Sequence, residues 1–374
     1  MLSGPPSREE LLDRARGSGS VPLDLSLGIP ADPAPVPGAG PPGEEPGGYP
    51  PSAGSEGLRA AAAGYLRRRF GVGVAPDAVA ACVGSKEFIS TLPLFLRDAG
   101  LLAPGRDTVL VPQLCYPAYE NGARLAGFAT HRMPADGDHR MRPDLLPAAV
   151  RDRALCVWVN SPSNPTGALE PLDTLIDWGR RYGVLVLSDE AYAESTWSRA
   201  PQTALTHGTA GVLAVHTLSK RSNSPGLRVG FYAGDRDVVQ RLVVRRRAAG
   251  LMAGTAAQRS AAYLLADDEH ARVQYDRGAT RVVDLVRLLT DRGVAAHRPD
   301  GGFFLWTAAP GGDGDAWARD LATRAGIVVM PGSAYGPAGR SHVRIAAVRD
   351  IAEIAPRAGA LGPTGSDRRK CAHV

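Results

Sequence analysis

Six short apolar runs constrain this chain more than any other feature. They lie at 79–83, 108–111, 155–159, 184–187, 212–215 and 229–233. Each is too short for a core helix and too uniformly apolar for a strand with one wet face, so each reads as a strand buried on both sides. Between them fall stretches of helical periodicity near 86–99, 117–127, 169–182 and 236–249. Strands alternating with helices imply βαβ units and a mostly parallel sheet covered on both faces, an α/β fold. Ahead of the first run, Ser55-Glu56-Gly57-Leu58 has the pattern of a helix start, and the helix continues to about Phe70.

Outside this region the pattern changes. Residues 1–20 read as a loose leader ending in a short helix, and 30–54 as an extended connector dense in Pro and Gly. From 255 to 292 the periodicity stays helical, with a weak point at Asp267-Asp268. Strand signals return at 302–307, 327–330 and 342–346, which reads as a smaller α/β lobe before a polar tail from 362. The length of 374 residues and a 44% hydrophobic share suit two lobes with real cores.

Charge excludes several classes. Lys+Arg number 43 against 38 Asp+Glu, a net +5, yet only Lys86, Lys220 and Lys370 are lysines. That bias reflects a GC-rich genome rather than a nucleic-acid surface: the arginines are spread out, with no basic stretch interleaved with aromatics. Arg245-Arg246-Arg247 reads as a solvated helix face or a subunit contact. No apolar stretch reaches the roughly 18 residues of a membrane span, and no secretory signal opens the chain. Four cysteines without CxxC spacing suit a reduced, cytoplasmic protein, and eight scattered histidines give no metal site.

In sheets of this kind ligands bind beyond the carboxyl ends of the strands. The residues that follow the runs are Gly84-Ser85-Lys86, Tyr116-Pro117, Asn160 to Gly167, Ser188-Asp189-Glu190-Ala191-Tyr192 and Thr217-Leu218-Ser219-Lys220, with Arg228 shortly after. Together they offer anion donors, an aromatic ring, a carboxylate and an amine. Lys370 lies in the polar tail, and Lys86 opens a helix where its N–H is the useful group. Lys220 sits among hydroxyls near Arg228, where an amine of lowered pKa can act as a nucleophile. Taken singly, Asp189 also suits a helix N-cap and 164–167 a plain turn.

Four motifs occur in family order: Asn164-Pro165-Thr166-Gly167, Ser188 to Tyr192, Thr217 to Lys220 and Gly226-Leu227-Arg228-Val229-Gly230-Phe231. On these the chain resembles the fold-type I, pyridoxal-phosphate-dependent aminotransferases of class I/II, from Leu25-Ser26-Leu27-Gly28 to His342-Val343-Arg344-Ile345. The resemblance implies a large domain with a mixed, mostly parallel seven-stranded sheet and a smaller C-terminal α/β domain. Residues 1–48 would form an arm and part of the small domain, 49–285 the cofactor-binding domain, and 286–374 the small domain with a frayed tail.

The resemblance also implies roles. Lys220 forms the Schiff base with pyridoxal 5'-phosphate and moves the α-proton, and Asp189 pairs with the pyridine nitrogen. Asn164 and Tyr192 donate to the ring's phenolic oxygen, and Tyr116 stacks on the ring. Ser85, Lys86, Thr217, Ser219 and Arg228 hold the phosphate. Tyr49 reaches the phosphate of the neighbouring subunit, which implies a homodimer with shared sites. Arg344, with Gly28 and Asn164, holds the substrate α-carboxylate.

Within the family, Ser219-Lys220-Arg221-Ser222-Asn223, Tyr49 to Gly54 and Gly84-Ser85-Lys86-Glu87 resemble actinobacterial succinyldiaminopimelate aminotransferases. That implies glutamate as amino donor and a long polar acceptor. Arg221, Asn223 and Glu87 are then either substrate contacts or scaffold, and 251–254 lines the substrate side. The alternative is an enzyme of a natural-product pathway using the same site for β/γ-elimination, γ-replacement or C–C bond formation, for example on S-adenosylmethionine. A non-catalytic regulatory domain is a further alternative, disfavoured because Lys220 and Asp189 are both present and no room for a helix-turn-helix domain exists before 20 or after 360. A dehydrogenase is disfavoured because no GxGxxG follows a strand.

Overall fold

The structure, a computed structural model, describes residues 4–32, 49–101 and 104–362. Most of the Pro/Gly-rich connector, and the tail with Lys370 and Cys371, lie outside the described residues.

Helix α1 (Arg8–Gly17) starts where Ser7 Oγ accepts the Glu10 N–H, and it buries Leu11 and Ala15. The leader is thus more regular than its sequence suggests. Strand β1 (Leu23–Asp24) leads to α2 (Glu56–Phe70), capped by Ser55 and closed by Gly71 in the left-handed region. Then follow β2 (Val79–Cys82), α3 (Ser85–Asp98), β3 (Thr108–Val111), α4 (Ala118–Leu125), β4 (Ala129–Arg132), α5 (Ala148–Arg151), β5 (Ala154–Asn160), α6 (Leu172–Tyr182) and β6 (Leu185–Asp189). The order continues with β7 (Val212–Thr217), α7 (Leu218–Arg221), β8 (Gly230–Gly234), α8 (Arg236–Ala248), α9 (Thr255–Ala266) and α10 (Asp268–Asp291). Last come β9 (Phe304–Ala308), α11 (Gly314–Ala325), β10 (Ile327–Val328), β11 (Met330–Pro331), β12 (His342–Ala346) and α12 (Ile351–Ile354).

Seven strands form the large sheet in the order β2-β8-β7-β6-β5-β3-β4. Only β8 runs against its neighbours, so the sheet is mixed and mostly parallel, an aspartate-aminotransferase-like α/β fold. All seven residues of β5 are buried. Val157 and Val159 face one apolar cluster, and Cys156 and Trp158 face the other. Edge strand β4 escapes the sequence pattern because Ala-Thr-His-Arg carries no apolar run and its residues are exposed or half-exposed. The break between α9 and α10 falls at Asp267, whose carboxylate accepts the N–H groups of Glu269 and His270.

A third cluster joins Leu11 and Leu25 to Leu285, Leu289, Leu305, Leu321, Ile327 and Ile345. It lies under the antiparallel sheet β11-β12-β9 and the parallel pair β1-β10. Cys82, Cys115 and Cys156 are buried free thiols. Among the described residues no helix is long and apolar enough to cross a membrane.

Arg245-Arg246-Arg247 is not simply a solvated face. Arg246 is 1% exposed and forms a two-pronged pair with Glu87, at 2.7 and 3.0 Å. A fully desolvated guanidinium needs such a partner.

Candidate active site

Strand register builds the site's rim. Asn160 pairs with Asp189, Asp189 with Val215, and Thr217 with Gly230, so the ends of β5, β6 and β7 lie level. Because β8 is antiparallel, its beginning meets the same rim, which is why Arg228 precedes its strand. A cavity of about 230 Å³, partly open to solvent, sits over this rim. Gly28, Ser85, Lys86, Tyr116, Asn164, Asp189, Tyr192, Thr217, Ser219, Lys220, Arg228 and Arg344 all line it. Tyr49 does not: it is 92% exposed on the chain's surface.

Lys220 stands on α7, whose N-cap is Thr217: the Thr217 hydroxyl accepts the Ser219 N–H at 3.2 Å. Lys220 Nζ donates to the Gly28 carbonyl at 2.6 Å and lies 5.8 Å from the centre of the Tyr192 ring. Burial, reinforced by the Arg344 charge and opposed by Asp189, pulls its pKa down to about 8. At pH 7 about a tenth of the amine is therefore unprotonated, far more than for an ordinary lysine, as a nucleophile and proton carrier requires.

Asp189 is buried at the end of β6. Its carboxylate accepts the Tyr119 hydroxyl at 2.8 Å and the Ala191 N–H at 3.1 Å. Burial still drives its pKa above the ordinary carboxylate value, because these donors only partly offset desolvation. A cation beside it would restore the charge. Below it, Asn160 Nδ2 donates to the Asp189 carbonyl at 2.8 Å, and Asn160 Oδ1 accepts the Asn164 N–H at 2.7 Å. One side chain thus ties two strand-end loops together.

The N-terminus of α3 has no side-chain cap, so the N–H groups at Ser85 and Lys86 face the cavity without a built-in acceptor. The preceding Gly84 has φ 82°, and a Cβ there would lie 2.4 Å from Arg228 Nη2. Its lack of a side chain is what lets the guanidinium close over the helix end. Arg228 is held by the carbonyls of Pro225 at 3.0 Å and Val83 at 3.2 Å.

On the opposite wall Arg344 is buried. It donates to Asn164 Oδ1 at 2.6 Å and to the Ser26 carbonyl. Its guanidinium carbon lies 3.9 Å from the centre of the Phe304 ring and 5.2 Å from that of Tyr335. Its Nε has no hydrogen-bond partner. An aromatic clamp around a cation with a spare donor suits a carboxylate ligand.

Three residues for which the sequence left scaffold and substrate contact both open are scaffold. Glu87 pairs with Arg246 and accepts the Val83 N–H at 3.1 Å. Arg221 is buried against Glu194, Asp268 and the Leu264 carbonyl. Asn223 donates to the Asp32 carbonyl. Residues 251–254 are not on the cavity wall either, because Leu251 and Ala253 turn into the apolar clusters flanking the sheet. Sequence reasoning missed Tyr119, Phe304 and Tyr335, and placed Asn160 on the rim without giving it a role. No local signal marks Tyr119, whose hydroxyl meets Asp189 70 positions away, and Phe304 lies in a run that reads only as a strand.

The donor set fits pyridoxal phosphate: a bare helix end with an arginine for the phosphate, a buried carboxylate for a ring cation, and an amine of lowered pKa. The sequence matches the family described as "Aminotransferase class I and II" over residues 43–360. It is 39% identical to a probable aminotransferase of Mycobacterium tuberculosis, over 91% of this chain and 80% of that protein. It is also 39% identical to the 4-dedimethylamino-4-oxo-anhydrotetracycline transaminase OxyQ of Streptomyces rimosus, over 84% of this chain and 85% of that one. Among solved structures, a probable N-succinyldiaminopimelate aminotransferase of Thermus thermophilus superposes with a TM-score of 0.84 at 26% identity, covering 95% of this chain and 98% of that chain. The chain belongs to the class I and II aminotransferases, which are pyridoxal-phosphate-dependent transferases.

Proposed function

We propose that this enzyme moves an amino group between an L-amino acid and a 2-oxo acid, with glutamate as donor. One observation carries the reading: Lys220 Nζ, the Asp189 carboxylate and the Arg344–Asn164 pair open into one cavity. Pyridoxal phosphate, when bound, supplies the electron sink that lets a Cα–H bond ionise.

The chain's own residues do the rest. The N–H groups at the start of α3, the Ser219 hydroxyl and Arg228 would hold the phosphate, with Lys86 beside them. Asp189, held by Tyr119, keeps a positive charge on the ring nitrogen opposite it. Tyr116 would cover the ring, and Asn164 and Tyr192 would donate to its oxygen. Arg344 would grip the substrate α-carboxylate with its guanidinium fork, which orients the Cα–H bond. Lys220 Nζ, once released from the Gly28 carbonyl, would be the base that takes up the substrate Cα proton and the acid that gives it back. Tyr49 completes the phosphate site of a second subunit in a homodimer.

The acceptor we favour is a long polar 2-oxo acid of the succinyldiaminopimelate kind. The motif likeness around 49–54, 84–87 and 219–223 supports this, as does the similarity to the Thermus protein. The 39% identity to OxyQ, whose name gives a polycyclic ketone as its substrate, favours a second reading in a natural-product pathway. A panel of amino donors and oxo acceptors, with products identified by mass, separates the two. Turnover of N-succinyl-2-amino-6-oxopimelate with glutamate supports the first, and turnover of polycyclic ketones alone supports the second.

A further inference from the structure

Residues 24–32 run along the cavity wall, and their two ends are held differently. At the near end Arg8 Nε donates to Asp24 at 3.1 Å and to the Ser26 hydroxyl at 3.2 Å. There the backbone is also locked between sheets, with the Leu25 N–H on the Val328 carbonyl and the Ala346 N–H on the Leu25 carbonyl, both at 2.8 Å. Beyond Gly28 the support thins. Leu27 and Ile29 are 38% and 41% exposed, so burial does not hold them. One backbone bond, from the Ala31 N–H to the Val348 carbonyl at 3.0 Å, anchors that part.

The far end is gripped by side chains. Arg281 of α10 forks onto both oxygens of Asp32, at 2.6 and 3.1 Å, and Arg277 lies 3.4 Å from the same carboxylate. Asp32 and Arg281 side chains are 13% and 7% exposed, so the pair is shielded from salt and water. The Asp32 carbonyl accepts Asn223 Nδ2, which ties the segment to the turn that follows the Lys220 helix. Between the two ends sit the carbonyls that touch the site: Ser26 on Arg344 and Gly28 on Lys220. Gly28 is wedged against the rings behind it, where a Cβ would lie 2.6 Å from Phe304.

We propose that the Asp32–Arg281 pair is a positioning clasp: it holds residues 27–32 in register so that the backbone at Gly28, whose carbonyl accepts Lys220 Nζ, lines the α-carboxylate side of the cavity beside Arg344. This rests on the aminotransferase reading above. The clasp touches neither substrate nor cofactor. The cofactor side of the cavity is built from β2, β6, β7 and β8, none of which it contacts, so loosening it should weaken amino-acid binding and spare cofactor binding.

The test compares Asp32→Asn with Asp350→Asn. Asp350 also pairs with Arg281, at 2.8 Å, but from outside the segment. Asp32→Asn should speed hydrogen–deuterium exchange of the 25–32 peptide. It should raise the KM for L-glutamate about tenfold while kcat and the affinity for pyridoxal phosphate stay near the wild type. Asp350→Asn should change none of these. Arg281→Lys, which keeps the charge without the fork, should give an intermediate rise in KM and serves if Asp32→Asn does not fold. Unchanged exchange and KM in Asp32→Asn and Arg281→Lys would overturn the clasp, as would a parallel loss of cofactor affinity. A wild type that turns over no amino acid would instead overturn the aminotransferase reading, and the exchange data would still decide the clasp.

Discussion

The two walls of the cavity are built by different means. The cofactor wall comes from short motifs that follow consecutive strands: Gly84-Ser85-Lys86, Asp189, Thr217 to Lys220 and Arg228. Each motif is local, and strand register alone brings them together. The carboxylate wall is assembled from residues far apart in the chain: Ser26 and Gly28, Asn164, Phe304, Tyr335 and Arg344. Arg344 bonds to Ser26 across 318 positions of sequence and to Asn164 across 180. A wall made of motifs is set by its own strands, whereas a wall made of distant partners depends on how the small lobe and the 24–32 segment are seated. Damage to the first should therefore abolish chemistry, and damage to the second should weaken recognition.

The largest expected effect is at Lys220. Lys220→Ala should remove the adduct that borohydride fixes between protein and pyridoxal phosphate and lower turnover by several orders of magnitude. Peptide mapping that finds the adduct on Lys86 would break the assignment of this wall. Next comes Arg344→Ala, expected to raise the KM for L-glutamate on the order of a hundredfold, about 2.7 kcal/mol, with cofactor binding unchanged. An unaltered KM in steady-state kinetics would place the carboxylate elsewhere.

A smaller effect is expected at Gly84. The Cβ of Gly84→Ala meets Arg228 and strains a positive φ, so pyridoxal phosphate should bind about tenfold more weakly, as read by fluorescence titration. Equal affinity would mean that Arg228 does not close the phosphate site.

A further effect concerns stability rather than turnover or binding, and is a pH slope. Lys220 titrates at about 8 when folded, against its ordinary 10.5. Between those values the unfolded chain holds a proton that the folded protein lacks, so stability rises with pH. The penalty is full below pH 8 and gone above 10.5, about 3 kcal/mol in all. Urea melts of the cofactor-free protein across that window should show this rise, and Lys220→Met should lack it. Identical slopes would mean that the amine is not desolvated.

The same contrast explains what could be read from the residues alone. The strands at 108–111 and 155–159, and the helix break at Asp267, are legible because apolar runs and capping residues act locally. The cofactor wall is legible for the same reason. Strand β4 is not, because an edge strand needs no apolar run. Tyr119 is hidden because only folding brings its hydroxyl to Asp189. The burial of Arg246 among other arginines depends on Glu87, 159 positions away. The Asp32–Arg281 clasp spans 249 positions, and nothing in the local sequence marks either partner.

The central claim is that this cavity transfers an amino group. The most direct test incubates the pyridoxal-phosphate-loaded protein with L-glutamate and no acceptor, then measures both products by mass. The account predicts one equivalent of 2-oxoglutarate and one of pyridoxamine phosphate per subunit. Release of ammonia with no pyridoxamine phosphate, from glutamate or any other L-amino acid, would contradict it and show that the same residues serve elimination instead.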